Sequence, residues 1–554
     1  MLDVCLLVDR TPEEPYPGAP AFAAELIEGL PTFSFGLVEV APTADLPREP
    51  RYPSTDNLER LVRITTDFPE LASERTAASP GRLRRALGAG RRARRNAFDL
   101  LEAFYLLLPE RLRAREYARM DAAIEVLAGR GPLGLSVRDL LFSRESLDLC
   151  ARLCERFAPA APFGEVLRAV RSVHLPFLRL LRTELPAAAL YHALSSGYAG
   201  FLGAVAAHRT GAPLIVTERE LETRERRLVH PRSMRASRSS LDPRADPRRS
   251  EVAEQLAVHA LDLVSGLIYE QASEIVSLFE EGRRLKILRG APAARCSVVP
   301  DGVDYARYAG LRTAGRPIAE KNTVLVALVA PIAPRSDVKT FLRTAKLLVE
   351  RLDLVEILVV GQVGATDPYY RECLFQAELL GLGQFVRFTG CIDPRELFTN
   401  LDCLVLTSID EEQPLVLVEA MAAGIPCVAT DVGAVRELLE GGLREDRALG
   451  PSGVVCPIGD QEAIAAAVER CVRDLPFRER LAEAGMERAR RYYRREDTHA
   501  AYRALYERCR DRFLSGDGSS GSGSVPPRDG AEAGMGAFAG RPGERQEPDA
   551  EGPP

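Results

Sequence analysis

Glu411 and Glu419 stand eight positions apart in the run Thr407-Ser-Ile-Asp-Glu-Glu-Gln-Pro-Leu-Val-Leu-Val-Glu419. Two carboxylates with seven residues between them, followed by Ala-Met-Ala-Ala-Gly-Ile-Pro-Cys-Val-Ala-Thr, have the pattern of a clamp for a sugar nucleotide. The first Glu falls at a strand-to-helix junction, where it can accept hydrogen bonds from sugar hydroxyls. The second comes about two helical turns later, where it can accept from ribose hydroxyls. Pro414 and Leu415 open the helix, and the first N–H groups of a helix have no intrahelical acceptor and can face an anion. Spacing alone leaves the plainer alternative open: two exposed Glu at a helix start.

The elements that must position such a pair are legible as alternation. Short apolar runs alternate with amphipathic segments, the pattern of parallel sheets covered by helices. In the first half the strand runs are 2–8, 35–40, 188–192, 213–217, 274–278 and 296–299; in the second they are 323–329, 354–360, 385–388, 402–407, 426–429 and 453–456. Between Pro42 and Pro186 the alternation lapses into a long, mostly helical, Arg-rich insertion. Residues 231–250 are rich in Arg, Ser and Pro and read as a mobile loop. These runs divide the chain into a first Rossmann-like domain over 1–310, a polar hinge at 311–322, a second domain over 323–495 and a C-terminal helix over 496–514 within a helical run of about 477–513. The segment 515–554 is rich in Gly, Ser and Pro, cannot bury enough apolar surface to offset its ordering entropy, and is expected to be disordered. Two such domains facing each other make a cleft at the carboxyl ends of their strands.

At 554 residues the chain is too long for one core. Its net charge of −6 gives no general attraction to nucleic acid or anionic membrane. The basic cluster Arg82, Arg84, Arg85, Arg91, Arg92, Arg94 and Arg95 reads first as a solvated helical face, and second as a dock for acidic lipid or nucleic acid. Eleven Cys show no paired ligand spacing, which fits reduced thiols in a cytoplasmic protein without a metal site. The N-terminal run Met1-Leu-Asp-Val-Cys-Leu-Leu-Val-Asp9 has no basic flank and reads as a strand, and no stretch is long and apolar enough to span a membrane. His192, among small apolar neighbours at a first-domain strand end, is either a cleft group or a satisfied structural histidine.

The chain resembles the retaining glycosyltransferase family 4, with the GT-B fold, and more narrowly its PelF-like members. The resemblance covers roughly residues 1–510 and rests on Leu26-Ile-Glu-Gly-Leu-Pro31, Tyr191-His-Ala-Leu-Ser-Ser-Gly-Tyr-Ala-Gly200, Thr223-Arg-Glu-Arg-Arg227, Val299-Pro-Asp-Gly-Val-Asp304, Asp337-Val-Lys-Thr-Phe341 and Thr430-Asp-Val-Gly-Ala-Val-Arg-Glu-Leu438. The resemblance implies a UDP-sugar donor, no cofactor or essential metal, and transfer with retention to a glycan or other acceptor. It places Glu411 and His192 in catalysis, and Gly18, Arg335, Lys339, Gly390, Pro414, Leu415 and Glu419 around the donor.

Several positions depart from the family pattern. Where relatives carry Gly-Arg and, five residues after the Arg, a Lys for the diphosphate, this chain has Ala330-Pro331 and Ser336, with Arg335 and Lys339 nearby. The Gly-Gly pair after the first strand reads Tyr16-Pro-Gly-Ala-Pro20 and keeps only Gly18. The Thr-Glu-His-Gly stretch reads Thr217-Glu-Arg-Glu220, and the Asn of Pro-Asn-Gly is Asp301. A single fixed donor at a developing charge is worth about 3–4 kcal/mol of barrier, so losing two cations bears directly on rate. Two functions from different classes follow: a hexosyltransferase using a UDP-sugar, of reduced activity, or a catalytically silent relative that serves as a binding or scaffold protein.

Overall fold

A computed structural model describes residues 1–10, 18–41, 52, 55–66, 89–105, 124–129, 134–157, 162–219, 264–311, 323–362 and 368–515. The strands are β1 (Leu2–Asp9), β2 (Phe35–Ala41), β3 (Leu58–Thr65), β4 (Ala188–Ala193), β5 (Leu214–Glu218), β6 (Ala272–Ser277) and β7 (Cys296–Val298), then β8 (Val324–Val329), β9 (Val355–Val360), β10 (Val386–Gly390), β11 (Cys403–Leu406), β12 (Cys427–Thr430) and β13 (Gly453–Cys456). They form two parallel sheets, ordered β3-β2-β1-β4-β5-β6-β7 and β10-β9-β8-β11-β12-β13. The interior strands are near-continuous apolar runs because helices cover both faces of a parallel sheet; every residue of β2, β4, β11 and β12 is buried. The chain therefore has two Rossmann-like domains of α/β class, as the alternation predicts.

Each sheet reverses its winding once, between β1 and β4 in the first and between β8 and β11 in the second. Crevices for ligands open at such reversals, outside the carboxyl ends of the strands. Register places Leu6 beside His192 in the first sheet and Leu404 beside Ala327 in the second. The first sheet's core holds Val4, Leu6, Phe35 and Leu190, with Tyr502 and Tyr506 from the C-terminal helix Arg495–Leu514. The second is a larger single cluster around Val326, Phe341, Val359, Leu404 and Val428.

Three details differ from the sequence reading. β3 lies inside the stretch taken as a helical insertion. It is an edge strand with exposed Glu59, Arg60 and Leu61, so only half of the apolar signal of a central strand is present. The other described segments there are helical, including Ala89–Tyr105, Arg144–Phe157 and Phe163–Leu181. The final helical run is two helices, Leu475–Tyr492 and Arg495–Leu514. At the break, Val303 N–H donates to Tyr493 (2.9 Å) and Arg495 N–H donates to Val303 (3.0 Å), so the chain crosses back to the first domain there. Gly302 makes the crossing tight enough to work: a Cβ on it would lie 2.3 Å from the Arg494 carbonyl. The expected loop 231–250, the hinge residues 312–322 and the tail residues 516–554 lie outside the described residues.

Candidate functional site

The reversal in the second sheet is laced together by side chains. Thr407, just past β11, donates its hydroxyl to the carbonyls of Ser336 (2.9 Å) and Asp337 (3.1 Å) in the loop after β8. Ile409 N–H donates to Arg335 (2.8 Å), which fixes the Arg335 backbone against the loop that carries Glu411. Asp337 starts the helix Val338–Arg351 in a left-handed conformation (φ 41°), the one non-glycine residue with positive φ among those described. From the other side, Thr430 donates to Ser408 (2.5 Å) and Ala434 N–H to Glu412 (2.7 Å). Gly433 is required there: its φ is 50°, and a Cβ would sit 2.0 Å from the Glu411 carbonyl oxygen. The Asp431–Gly433 turn is thus a buttress for the Glu411 loop.

On this support Glu411 lies half-buried, its carboxylate accepting from Ser408 Oγ at 3.0 Å. Pro414 is the cap of the helix Leu415–Ala422 and makes no side-chain cap hydrogen bond, so no capping side chain occupies the leading amides of Leu415 and Val416. Glu419 stands on the same helix and accepts from the Tyr308 hydroxyl at 2.7 Å. Burial raises the Glu419 carboxyl above its usual range, opposed by the Tyr308 hydrogen bond and the charges of Arg307 and Arg495. Gly390 ends β10 at φ 71° with open space where a Cβ would go, and its carbonyl accepts from Gly361 N–H at 3.0 Å. Gly361 in turn lies against the Ala330 carbonyl, 1.9 Å from where its Cβ would be.

Of the candidate cations, Lys339 ends on Glu372 (2.6 Å), with its ammonium 5.2 Å from the Tyr369 ring centre. Arg335 is half-buried beside the Glu411 loop. Gly18 heads the helix Ala19–Gly29 after β1, its carbonyl accepting from Ala21 and Phe22. His192 is fully buried: Nδ1 pairs with the Tyr506 hydroxyl (2.7 Å), Nε2 with Thr217 Oγ1 (2.8 Å), and the ring stacks on Tyr502. Burial pushes its pKa down to about 3, so it is neutral at working pH. Both ring nitrogens are thus satisfied by protein hydroxyls, as in the structural one of the two sequence alternatives.

The two domains meet through polar contacts that spacing gives no sign of. Gln413 and Asp301 exchange hydrogen bonds: Asp301 N–H donates to Oε1 (3.0 Å), and Nε2 donates to the Asp301 carbonyl (2.9 Å). Glu437 accepts from the N–H groups of Glu280 (3.1 Å) and Glu281 (3.0 Å), capping the helix Glu280–Leu288, which has no cap of its own. Two charged residues distant in sequence also meet. The Arg219 guanidinium lies 2.5 Å from the Asp301 carboxylate and 4.3 Å over the Phe22 ring. Burial raises the Asp301 carboxyl, with Arg219 pulling it back down. The cation and the anion at these two positions offset each other's charge. Glu220, Glu222 and Pro17 lie outside the described residues.

A family model described as a domain of unknown function, DUF3492, matches residues 2–294, and one described as glycosyl transferases group 1 matches residues 322–474. The chain belongs to the DUF3492 family. Its second domain is similar to the glycosyl transferases group 1 over the residues matched. Among curated proteins it is 26% identical to the D-inositol 3-phosphate glycosyltransferase of Corynebacterium urealyticum, over 65% of this chain and 83% of that protein. It is 30% identical to the phosphatidyl-myo-inositol mannosyltransferase of Mycobacterium leprae, over 35% of this chain and 49% of that one. Among solved structures it is similar to Anabaena Alr3699/HepE in complex with UDP and glucose (TM-score 0.53, 14% identity, 91% and 99% of the two chains covered). It is also similar to sucrose-phosphate synthase from Thermosynechococcus elongatus (TM-score 0.52, 15% identity, 91% and 98% covered). At such identities the likeness is one of fold, the GT-B fold that the sequence resemblance implies.

In this DUF3492 member, Tyr308, Gln413 and Glu437 are the candidate-site residues that spacing misses. Gln413 and Glu437 sit inside runs already quoted for the resemblance, but nothing in a run says that a side chain crosses to the other domain. Among the described residues no group of His, Cys, Asp and Glu is arranged to hold a metal ion, and no helix is long and apolar enough to cross a membrane. None of the eleven cysteines is joined in a disulfide.

Proposed function

We propose that the chain is a PelF-like, retaining, cytoplasmic hexosyltransferase that binds a UDP-sugar between its domains. The observation that carries this is the Glu411 loop with the helix Leu415–Ala422, placed at the winding reversal of the second sheet and braced on both sides. Glu411 accepts from sugar hydroxyls and Glu419 from the ribose. The amides of Leu415 and Val416 face the diphosphate, where a helix N-terminus favours negative charge. Of the two candidate cations, Arg335 has its backbone fixed against the Glu411 loop by Ile409, while Lys339 pairs with Glu372. The curated relatives named above carry glycosyltransferase and mannosyltransferase names, and a neighbour of the same fold was solved with UDP and glucose; both support glycosyl transfer without naming this chain's sugar.

In the transfer, the bond from the anomeric carbon to the β-phosphate oxygen breaks, and UDP leaves with the electron pair. The acceptor hydroxyl bonds to the same face of that carbon, and its proton passes to the departing phosphate oxygen. Charge develops on the diphosphate, so donors aimed there lower the barrier. The acceptor is a glycan hydroxyl or one of similar chemistry.

The test is release of UDP from UDP-glucose, UDP-galactose and UDP-N-acetylglucosamine, with water or soluble glycans as acceptor and the product anomer read by NMR. The expected result is UDP release with the α-configuration kept, reduced at least about a hundredfold in Glu411→Ala. Release no faster than in Glu411→Ala for every donor would instead leave a binding protein with a glycosyltransferase fold.

A further inference from the structure

Glu419 is a largely buried carboxylate whose Oε1 is already taken. The donor is Tyr308, from the one-turn helix Tyr305–Tyr308 that follows the Asp301 turn. Among the described residues no second hydrogen-bond donor reaches this carboxylate. The Tyr308 ring is itself fixed, 6.0 Å from the Phe398 ring and with the Arg307 guanidinium 5.9 Å from its centre. We propose that Tyr308 is the positioning residue for Glu419, holding Oε1 so that Oε2 is the oxygen offered to a ligand hydroxyl. The inference rests on the reading of Glu419 as the ribose-binding carboxylate.

The choice of a phenol has a physical consequence. A neutral donor orients the carboxylate and stabilises its ionised form without cancelling its charge, whereas an arginine in contact would compete with the ligand as a partner. Ionisation matters because a protonated carboxyl loses acceptor capacity. The other charges that face Glu419 are Arg307 from the same short helix, Arg495 from the C-terminal helix, and Asp393 from the cap of the helix Pro394–Phe398; Asp393 is itself bonded to Arg395. Burial opposes ionisation, and the Tyr308 hydroxyl is the largest of the influences that favour it.

Two measurements on the full chain test this with wild type, Tyr308→Phe, Glu419→Gln and the double variant. The first is the melting temperature of ligand-free protein between about pH 4 and pH 8. The hydroxyl stabilises the ionised carboxylate, so the deficit of Tyr308→Phe is expected to be small at the acidic end and to grow as Glu419 ionises. Its pH dependence should disappear in the Glu419→Gln background, where the side chain still accepts but cannot ionise. A deficit equal at every pH, or one whose pH dependence persists when Glu419→Gln is already present, would mean that Tyr308 only packs. The second is calorimetric binding of UDP over the same range. Tyr308→Phe is expected to bind about tenfold more weakly at neutral pH, with the acidic loss of binding moved to higher pH. If wild type binds UDP and Tyr308→Phe shows the same affinity and pH profile, the positioning role is overturned alone. If wild type binds no UDP, the donor reading of Glu419 is overturned with it.

Discussion

His192 shows how far a residue's surroundings decide its chemistry. With both ring nitrogens bonded to hydroxyls and the ring inside the first core, it stays neutral down to a pKa of about 3. The unfolded chain takes up that proton near the ordinary value of 6.5, so the folded state loses stability as pH falls from 6.5 toward 3. The slope is about 1.4 kcal/mol per pH unit for one proton. His192→Gln is expected to be less stable at neutral pH by about 1–3 kcal/mol, yet flatter in its acid limb, as read by urea unfolding at several pH values. Sequence put His192 on a strand end but left both of its roles open, because the hydroxyls of Tyr506 and Thr217 arrive from positions far away in the chain. The Glu pair was legible because its two members share one loop and one helix, and spacing along a single element is what sequence displays. Tyr308, which meets Glu419 from 111 positions away, leaves no such trace.

At the scale of elements, the strands were readable wherever both faces are buried. β3 was not, because its exposed face carries Glu59, Arg60 and Leu61 and breaks the apolar run. The turns that join elements carry a less visible logic. The charges in the Asp301 turn and just after β5 look unrelated when each is read singly. Together they form a buried ion pair between Arg219 and Asp301 at 2.5 Å. Removing one partner of such a pair strands the other charge away from water, which costs about 3–5 kcal/mol. Arg219→Ala is therefore expected to destabilise by roughly that amount in denaturant unfolding, and Asp301→Asn in the same chain to recover most of it. Equal, additive losses from the two substitutions would show that the residues act separately.

For the whole molecule, the sequence announced two domains and a cleft, but the way the domains are held together is a property of the assembled fold. Gln413 clasps the Asp301 backbone from the second domain, and Glu437 caps a first-domain helix. Both residues lie close in sequence to the buttressed Glu411 loop and its Asp431–Gly433 support, so loosening these contacts is expected to disturb the site as well. The double variant Gln413→Ala with Glu437→Ala is expected to raise the radius of gyration in small-angle scattering and to weaken UDP binding about tenfold, corresponding to about 1.4 kcal/mol. Unchanged scattering with weakened binding would confine both residues to local roles.

The most direct measurement is calorimetric titration of the full chain with UDP, UDP-glucose and UDP-N-acetylhexosamines, beside Glu419→Ala. The site described here predicts binding in the micromolar range, about −8 kcal/mol, that Glu419→Ala abolishes. No binding by any of these nucleotides at millimolar concentration would contradict a nucleotide-sugar site at the Glu411–Glu419 pair.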